Sequence, residues 1–411
     1  MNGLSCRFCQ SPLVHTFVDL GMSPLANSYL DQSRLNQSEA FYPLHALVCE
    51  HCFLVQLQQF EPPENIFSNY VYFSSYSQSW LEHSQEYANR MIERFDLSTH
   101  STVVEIASND GYLLQYFKAS GIPVLGIEPA ANVSVVAREK GIPTLTAFFG
   151  RGTALSMKAA GQQADLIVAN NVLAHVPDLH DFVDGFKLLL KPGGIVSFEF
   201  PHLLRLINGR QFDTIYHEHL SYFSFLTAGK IFKAHGLAVF DVEELQTHGG
   251  SLRVYLCHAE NREKSVHDRV EELRKKEIAA GLCELETYLE FGERVREAKH
   301  GLLERLIEIK RSGASIAAYG APAKGNTLLN YCGIGKDFIE YAVDQNPHKQ
   351  GLFLPGSHIP IVAPSRLSET RPNYILILPW NLRDEILAQI GYARAWGCRF
   401  VIPIPTAEIL A

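Results

Sequence analysis

No stretch of this 411-residue chain approaches the ~18 consecutive apolar residues that a membrane-spanning helix needs. The opening MNGLSCRFCQ has no basic segment leading into an apolar run, so no export signal is read there, no membrane is expected as a partner, and the expected place of action is cytoplasmic. Positive charge is also short: 36 Lys and Arg against 44 Asp and Glu give a formal net charge of -8. A protein that coats nucleic-acid phosphates would carry the opposite balance, so nucleic acid is not an expected partner, although a local basic patch is still allowed. Low-complexity tracts are absent, and no fixed period of about 20 to 50 residues marks a repeat architecture. What remains is ordinary soluble composition, with 46% hydrophobic and 19% charged residues. At about 150 residues per domain, the length implies roughly two or three domains, each able to bury a core.

Four of the 8 cysteines, Cys6, Cys9, Cys49 and Cys52, fall within the first 52 residues. They form two CxxC knuckles, a spacing that lets paired thiolates converge on one tetrahedral zinc ion. The gap of 39 residues between the knuckles is longer than in a compact zinc ribbon. A redox site would need one CxxC beside a βαβ unit, and a disulfide framework would need a secreted context. All four positions are sulfur, so the expected zinc is structural, with no place left for water or substrate. Cys257, Cys283, Cys332 and Cys398 are scattered singly and read as small apolar residues.

From Ser101 the pattern changes to short β-rich runs alternating with helical stretches, the signature of a parallel sheet with crossover helices. Strands are expected at Thr102–Ile106, Val124–Ile127, Leu166–Ala169 and Ile195–Phe200. Helices are expected after Gly111, near Asn132, near Thr153 and over Asp178–Leu190. Ala259 to Arg311 is rich in Glu, Lys, Arg and Leu, and reads as long amphipathic helices spanning two lobes. Alternation resumes at Ser315–Tyr319, Tyr341–Asp344 and Tyr374–Leu378, a second and smaller α/β unit. The expected division is residues 1–75, 76–255 and 256–411.

VVEIASNDG, from Val103 to Gly111, reads as a buried strand ending in a sharp turn, and the next strand, VLGIEP, ends in Glu128. Such a turn exposes backbone N–H groups, and an acidic side chain at the end of the second strand can take both hydroxyls of a ribose. The GxGxxG that admits a pyrophosphate is missing, since the turn carries Ala107, Asn109 and Asp110 with Gly111 as its only glycine. Carboxylates at the strand and the turn suit a cationic ligand with an amino-acid tail, which points to S-adenosylmethionine. Asn-Asp-Gly is also ordinary turn chemistry, so the loop alone does not decide.

YHEHLSYFS places Tyr216, His217, Glu218, His219 and Tyr222 within seven positions. It lacks the HExxH spacing of a zinc hydrolase, which leaves general acid/base work. In an extended segment His217 and His219 would share a face with Glu218 opposite, so the residues alone do not assign a base. A packed or carbonyl-bonded histidine is the alternative for either. His175 reads as a helix-surface residue or a third active-site group.

ADLIVANNVLAHVPDL and LLLKPGGIVSFEFP look like the fourth strand, following helix and fifth strand of a class I methyltransferase. Nearly the whole chain then resembles the S-adenosylmethionine-dependent sugar C-methyltransferases that act on nucleotide-linked 4-keto-deoxysugars. The resemblance rests on CRFCQSPL with DLGMSPLANSYL, VCEHCFLVQL, EIASNDGYLL, YHEHLSYFS, HGGSLRVY, YGAPAKGNTLLN, VDQNPHKQG, HIPI and LPWNL, in that order. It implies an α/β fold in three parts: an N-terminal zinc-binding domain, a class I methyltransferase Rossmann-like middle domain, and a C-terminal Rossmann-like domain that helps hold the nucleotide sugar, thymidine diphosphate being the first expectation.

That resemblance places the base on His219, with Tyr216, Glu218 and His175 lining the sugar and Tyr70 and Tyr72 reaching in from the N-terminal lobe. Cofactor contacts fall on Glu105, Ala107, Ser108, Asn109, Gly111, Glu128, Asn170 and Asn171. Lys324, Asn326 and Lys349 become candidate diphosphate ligands, Asp344, His348 and Trp380 candidate base or ribose contacts, and His217 a substrate contact. His248 and Arg253 are further candidates, with a domain-joining role as the alternative. A base near its ordinary pKa of ~6.5 would take the C3 proton, with His175 and Tyr216 as candidate donors to the C4 oxygen. The rival readings are an O- or N-methyltransferase and a nonenzymatic nucleotide-sugar-binding protein. A monomer is the default expectation.

Overall fold

The structure, a computed structural model, describes residues 4–64, 75 and 78–411. Tyr70 and Tyr72 lie outside the described residues. The chain opens with an antiparallel meander, β1 (His15–Ser23), β2 (Tyr42–Val48) and β3 (Val55–Leu57). In β1, Phe17, Val18 and Leu20 turn inward while Asp19 and Met22 face out, and two bulges interrupt the pairing with β2.

The middle sheet is built on β4 (Val103–Ile106), β5 (Val124–Ile127), β6 (Thr144–Leu145), β7 (Ala164–Asn170) and β8 (Leu190–Pro201), all parallel. VVEI of β4 is buried at all four positions, as expected of a strand covered on both faces by crossover helices. Helices Leu114–Ala119, Ala131–Glu139, Arg151–Ala159 and Leu179–Leu189 make the crossovers, close to the expected places. After β8 the chain leaves this sheet, and β9 (Ser221–Tyr222) pairs with β3 of the N-terminal meander. It then returns as β10 (Leu237–Leu245) and β11 (Ser251–His258), an antiparallel pair that extends the sheet beyond β8. The order is β10-β11-β8-β7-β4-β5-β6.

Helices Asp268–Ala279, Leu285–Leu289 and Phe291–Arg311 occupy the predicted amphipathic stretch. The last buries Phe291, Val295, Ala298, Leu302, Leu306 and Ile309, a three-to-four-residue spacing that faces one side to the core. The final sheet is made by β12 (Ile316–Tyr319), β13 (Ala342–Val343), β14 (Ile361–Val362), β15 (Tyr374–Ile377), β16 (Arg399–Ile402) and β17 (Glu408–Leu410). Its order is β14-β13-β12-β15-β16-β17, parallel except for β17.

The described residues form three sheets whose cores are not separate. Phe17, Leu20 and Val48 of the meander share one apolar cluster with the helix Phe291–Arg311 and with Ile316 and Ile375 of the final sheet, and Phe17 stacks on Phe291 at 4.4 Å. Cys6, Cys49, Cys52 and Leu54 pack instead with Phe198, Phe223 and Ala228 of the middle lobe. The N-terminal lobe is thus divided between two cores. Among the described residues no helix is long and apolar enough to cross a membrane.

Candidate active site

The four N-terminal cysteines converge as their spacing predicts. Cys6 and Cys52 place their Sγ atoms 3.5 Å apart, Cys9 and Cys49 theirs 3.4 Å apart, and all four sulfurs lie within 4.8 Å of one another. Sulfurs bound tetrahedrally at ~2.3 Å from zinc stand ~3.8 Å apart, so the cluster fits one ion. Gln56 Nε2 donates to Cys6 Sγ at 3.3 Å, and the set offers no non-sulfur position for chemistry.

A cavity of about 620 Å³ runs from the ends of β4, β5 and β7 to the final lobe, within the ~300–1,000 Å³ typical of ligand sites. Its first wall is the turn after β4, where Ala107 (φ 56°), Asn109 (φ 49°) and Gly111 (φ 78°) all adopt left-handed backbone. This coil turns the Asn109 N–H onto Glu128 Oε2 at 2.9 Å, while Ala130 N–H reaches Oε1 at 2.8 Å. Glu128 is thereby fixed at the cavity wall with lone pairs left for hydroxyl donors. Burial raises its pKa, opposed by those two N–H groups. Ala107, Asn109, Phe148, Phe149, Asn170 and Asn171 line the same end. The buried carboxamide oxygens of Asn170 and Asn171 have no hydrogen-bond partner, so this wall is built for a polar ligand. Glu105, Ser108 and Gly111 stand behind it rather than on it. The Glu105 carboxyl is held well above the ordinary carboxylate range, chiefly by burial.

At the centre, YHEH is not extended. His219 N–H donates to the Tyr216 carbonyl at 2.8 Å, closing a turn that sends the two histidines apart. His217 leaves the cavity: its Nε2–H reaches the Pro43 carbonyl at 3.3 Å and its ring meets Tyr42 and Phe60 edge-on. The shared face expected for His217 and His219 is therefore wrong, and His217 is not placed for substrate contact. His219 faces the cavity with a defined tautomer. The Thr214 carbonyl, which can only accept, takes Nδ1–H at 2.9 Å, so Nε2 is the lone-pair nitrogen and accepts from the Tyr216 hydroxyl at 2.8 Å. Burial holds the His219 pKa well below 6.5, with His175 next among the causes. This corrects the expectation of a base near its ordinary pKa.

His175 lines the cavity 4.8 Å from the His219 ring, centroid to centroid. Its Nδ1–H donates to the Glu218 carbonyl at 2.8 Å, and burial lowers its pKa to about 4. A neutral imidazole has one N–H, so His175 has no proton left for a substrate oxygen, contrary to the donor role considered above. Glu218 does not line the cavity; its carboxylate accepts from Nδ2 of Asn27, which does, at 2.6 Å. His248, at φ 54°, packs against the Trp80 ring on the cavity wall, and burial brings its pKa to about 4.

The far end is cationic. Lys324 Nζ donates to Asn381 Oδ1 at 2.7 Å and sits 5.1 Å over the Trp380 ring. Lys349 Nζ donates to the Ala321 carbonyl at 2.9 Å. Both lysines line the cavity. Trp380, Asn326, Asp344 and His348 do not. Trp380 Nε1 donates to buried Asp213 at 2.7 Å, and Asp344 accepts the N–H groups of Ala321 and Asn346 at 2.8 Å each. Asn326 is buried and accepts from Asn330, while His348 is exposed on a turn. Arg253 is buried against Glu199 at 2.7 Å and ties β11 to β8 within the middle sheet, which is neither a cavity contact nor the domain-joining role considered for it. Sequence reasoning missed Asn27, Trp80 and Asn381 on the wall. Asn27 and Asn381 lie within quoted motifs, MSPLANSYL and LPWNL, whereas Trp80 carries no local signal.

Known families match this arrangement part by part: a zinc binding domain over residues 6–67, a methyltransferase domain over 80–242 and a C-methyltransferase C-terminal domain over 246–405. The fold and the cofactor wall are those of a class I methyltransferase that uses S-adenosylmethionine. The C-methyltransferase NovU of Streptomyces niveus is 34% identical over 406 residues, 99% of this chain and 96% of that protein. The chain belongs to the S-adenosylmethionine-dependent C-methyltransferase family. A ubiquinone biosynthesis O-methyltransferase from Methylobacterium is 35% identical over 98 residues, 23% of this chain and 38% of that one. A methyltransferase structure from Clostridium acetobutylicum aligns at TM-score 0.35 and 11% identity, over 43% of this chain and 92% of that one.

Proposed function

We propose that the enzyme adds a methyl group to C3 of a nucleotide-linked 4-keto-deoxysugar, thymidine diphosphate being the first nucleotide to test. The observation that carries this reading is the lone pair of His219 Nε2, held in a neutral ring between a cofactor wall and a lysine-lined end of one cavity. A carbon beside a ketone becomes nucleophilic only when its proton leaves, so the substrate needs a base at that centre. An O- or N-methyl acceptor carries its own lone pair and makes no such demand.

His219 Nε2 takes the C3 proton. For this the Tyr216 hydroxyl first turns off Nε2 and donates to the substrate C4 oxygen, which frees the Nε2 lone pair for the proton and stabilises the developing oxyanion. Bound S-adenosylmethionine supplies the electrophilic methyl on a sulfonium. Glu128, Asn109, Ala107, Asn170 and Asn171 hold that cofactor, with Glu105, Ser108 and Gly111 shaping the turn behind them. His175 and Glu218 act as positioning residues for the His219 segment, since the Glu218 carbonyl orients the His175 ring. Lys324 and Lys349 take the diphosphate. Tyr70 and Tyr72 belong to this proposal through the family resemblance.

Residues 1–75, 76–255 and 256–411 are taken as the metal, cofactor and nucleotide-sugar units. A monomer is taken as the working unit. A cytoplasmic setting is taken as the working assumption. The test is incubation with S-adenosylmethionine and 4-keto-deoxysugars linked to thymidine, guanosine or cytidine diphosphate. The expected product has one new methyl on C3 by NMR. A methyl on oxygen or nitrogen, or turnover confined to substrates without a ketone, overturns the reading.

A further inference from the structure

Arg7 lies between the first two zinc ligands, Cys6 and Cys9, yet its side-chain hydrogen bonds are made outside the knuckle. Its main-chain N–H donates to Gln56 Oε1 at 2.8 Å, which fixes it to the residue that also donates to Cys6 Sγ. The guanidinium then reaches out of the lobe. Nη1 donates to the Leu220 carbonyl at 2.8 Å and to Ser221 Oγ at 3.3 Å, and Nη2 donates to the Leu57 carbonyl at 2.9 Å. Leu220 directly follows His219. Its carbonyl also accepts Leu57 N–H at 3.0 Å, and its own N–H donates to the Ala174 carbonyl at 2.7 Å, one residue before His175. Leu220 is therefore the junction of both cavity histidine segments, and Arg7 ties that junction to the metal lobe.

We propose that Arg7 is a positioning residue through which the zinc knuckle sets the orientation of the His219 imidazole. The inference rests on His219 being the base. The planar fork of arginine spans two carbonyls at once, which a single ammonium cannot do. Without it, Leu220 keeps only its strand and Ala174 bonds, and the Thr214 and Tyr216 contacts that define the His219 tautomer lose their fixed reference. A displacement of ~1 Å at a reacting group can cost ~100-fold in rate.

The test uses the full-length zinc-loaded enzyme with Arg7→Met and Arg7→Lys. In histidine-15N NMR, Arg7→Met is expected to shift the His219 ring signals and mix its tautomers, while zinc stays at one ion per chain and S-adenosylhomocysteine binding stays within ~3-fold of wild type. On the ketosugar that the wild type methylates, kcat falls roughly 10- to 100-fold with KM within ~3-fold, and Arg7→Lys is intermediate. Chelating zinc from the wild type moves the same His219 signals. A zinc-loaded Arg7→Met enzyme with wild-type His219 signals and wild-type kcat overturns the proposal. If Arg7→Met does not fold, a wild-type His219 spectrum in Arg7→Lys overturns it equally. Undiminished kcat in His219→Gln would instead strike the base assignment, leaving the effect of Arg7 on the ring to be read separately.

Discussion

At the scale of single residues, the Thr214 carbonyl does more to define the chemistry than any feature of the YHEH motif. It fixes one proton on His219 Nδ1 and makes Nε2 the accepting nitrogen, which takes the Tyr216 hydroxyl. Nothing in the sequence announces this contact, because it depends on a turn that an alternating reading makes extended. A depressed His219 pKa keeps the ring neutral and ready to accept well below pH 6.5. The acid limb of kcat/KM is therefore expected to have its midpoint below pH 6.5; a midpoint at or above 6.5 contradicts this. His175 and His248, with pKa values of about 4, bind fewer protons folded than unfolded between pH 4 and ~6.5. Stability is thus full above ~6.5 and lost as pH falls toward 4, by on the order of 3 kcal/mol per ring. Urea midpoints across that range are expected to slope less steeply in His175→Gln than in the wild type.

Among the elements, the parallel strands of the middle sheet were legible because strands buried on both faces are written as apolar runs, unbroken in LIVA and interrupted only by Glu105 in VVEI. The antiparallel pair β10 and β11 was not, since its pairing depends on a return past β8 that no local pattern encodes. The helix Phe225–Ala234 shows a similar long-range dependence. Phe225 and Leu226 N–H donate to Glu277 at 2.7 and 2.8 Å, and His202 Nε2 meets the same carboxylate at 2.7 Å, with Glu277, Phe225 and His202 all buried. Glu277→Ala leaves two helix-terminal donors and a buried imidazole unpaired, and is expected to cost ~3–5 kcal/mol, read as a lowered urea midpoint. A loss under ~1 kcal/mol would show that the capping carboxylate is dispensable.

Across the whole molecule, chain order and core membership diverge. Three units could be read from spacing and alternation, but not that the N-terminal lobe splits its apolar face between the other two. Such sharing makes the cavity a product of all three, with Asn27, His219 and Lys324 arriving from different parts of the chain. Removing zinc is accordingly expected to lower catalysis as well as local stability, checked by kcat and thermal unfolding before and after chelation and zinc return. The central chemical claim has a more direct test. In D2O with S-adenosylhomocysteine in place of the methyl donor, the wild-type enzyme should wash deuterium into C3 of its ketosugar, and His219→Gln should not. Exchange that survives in His219→Gln at the wild-type rate would contradict the account.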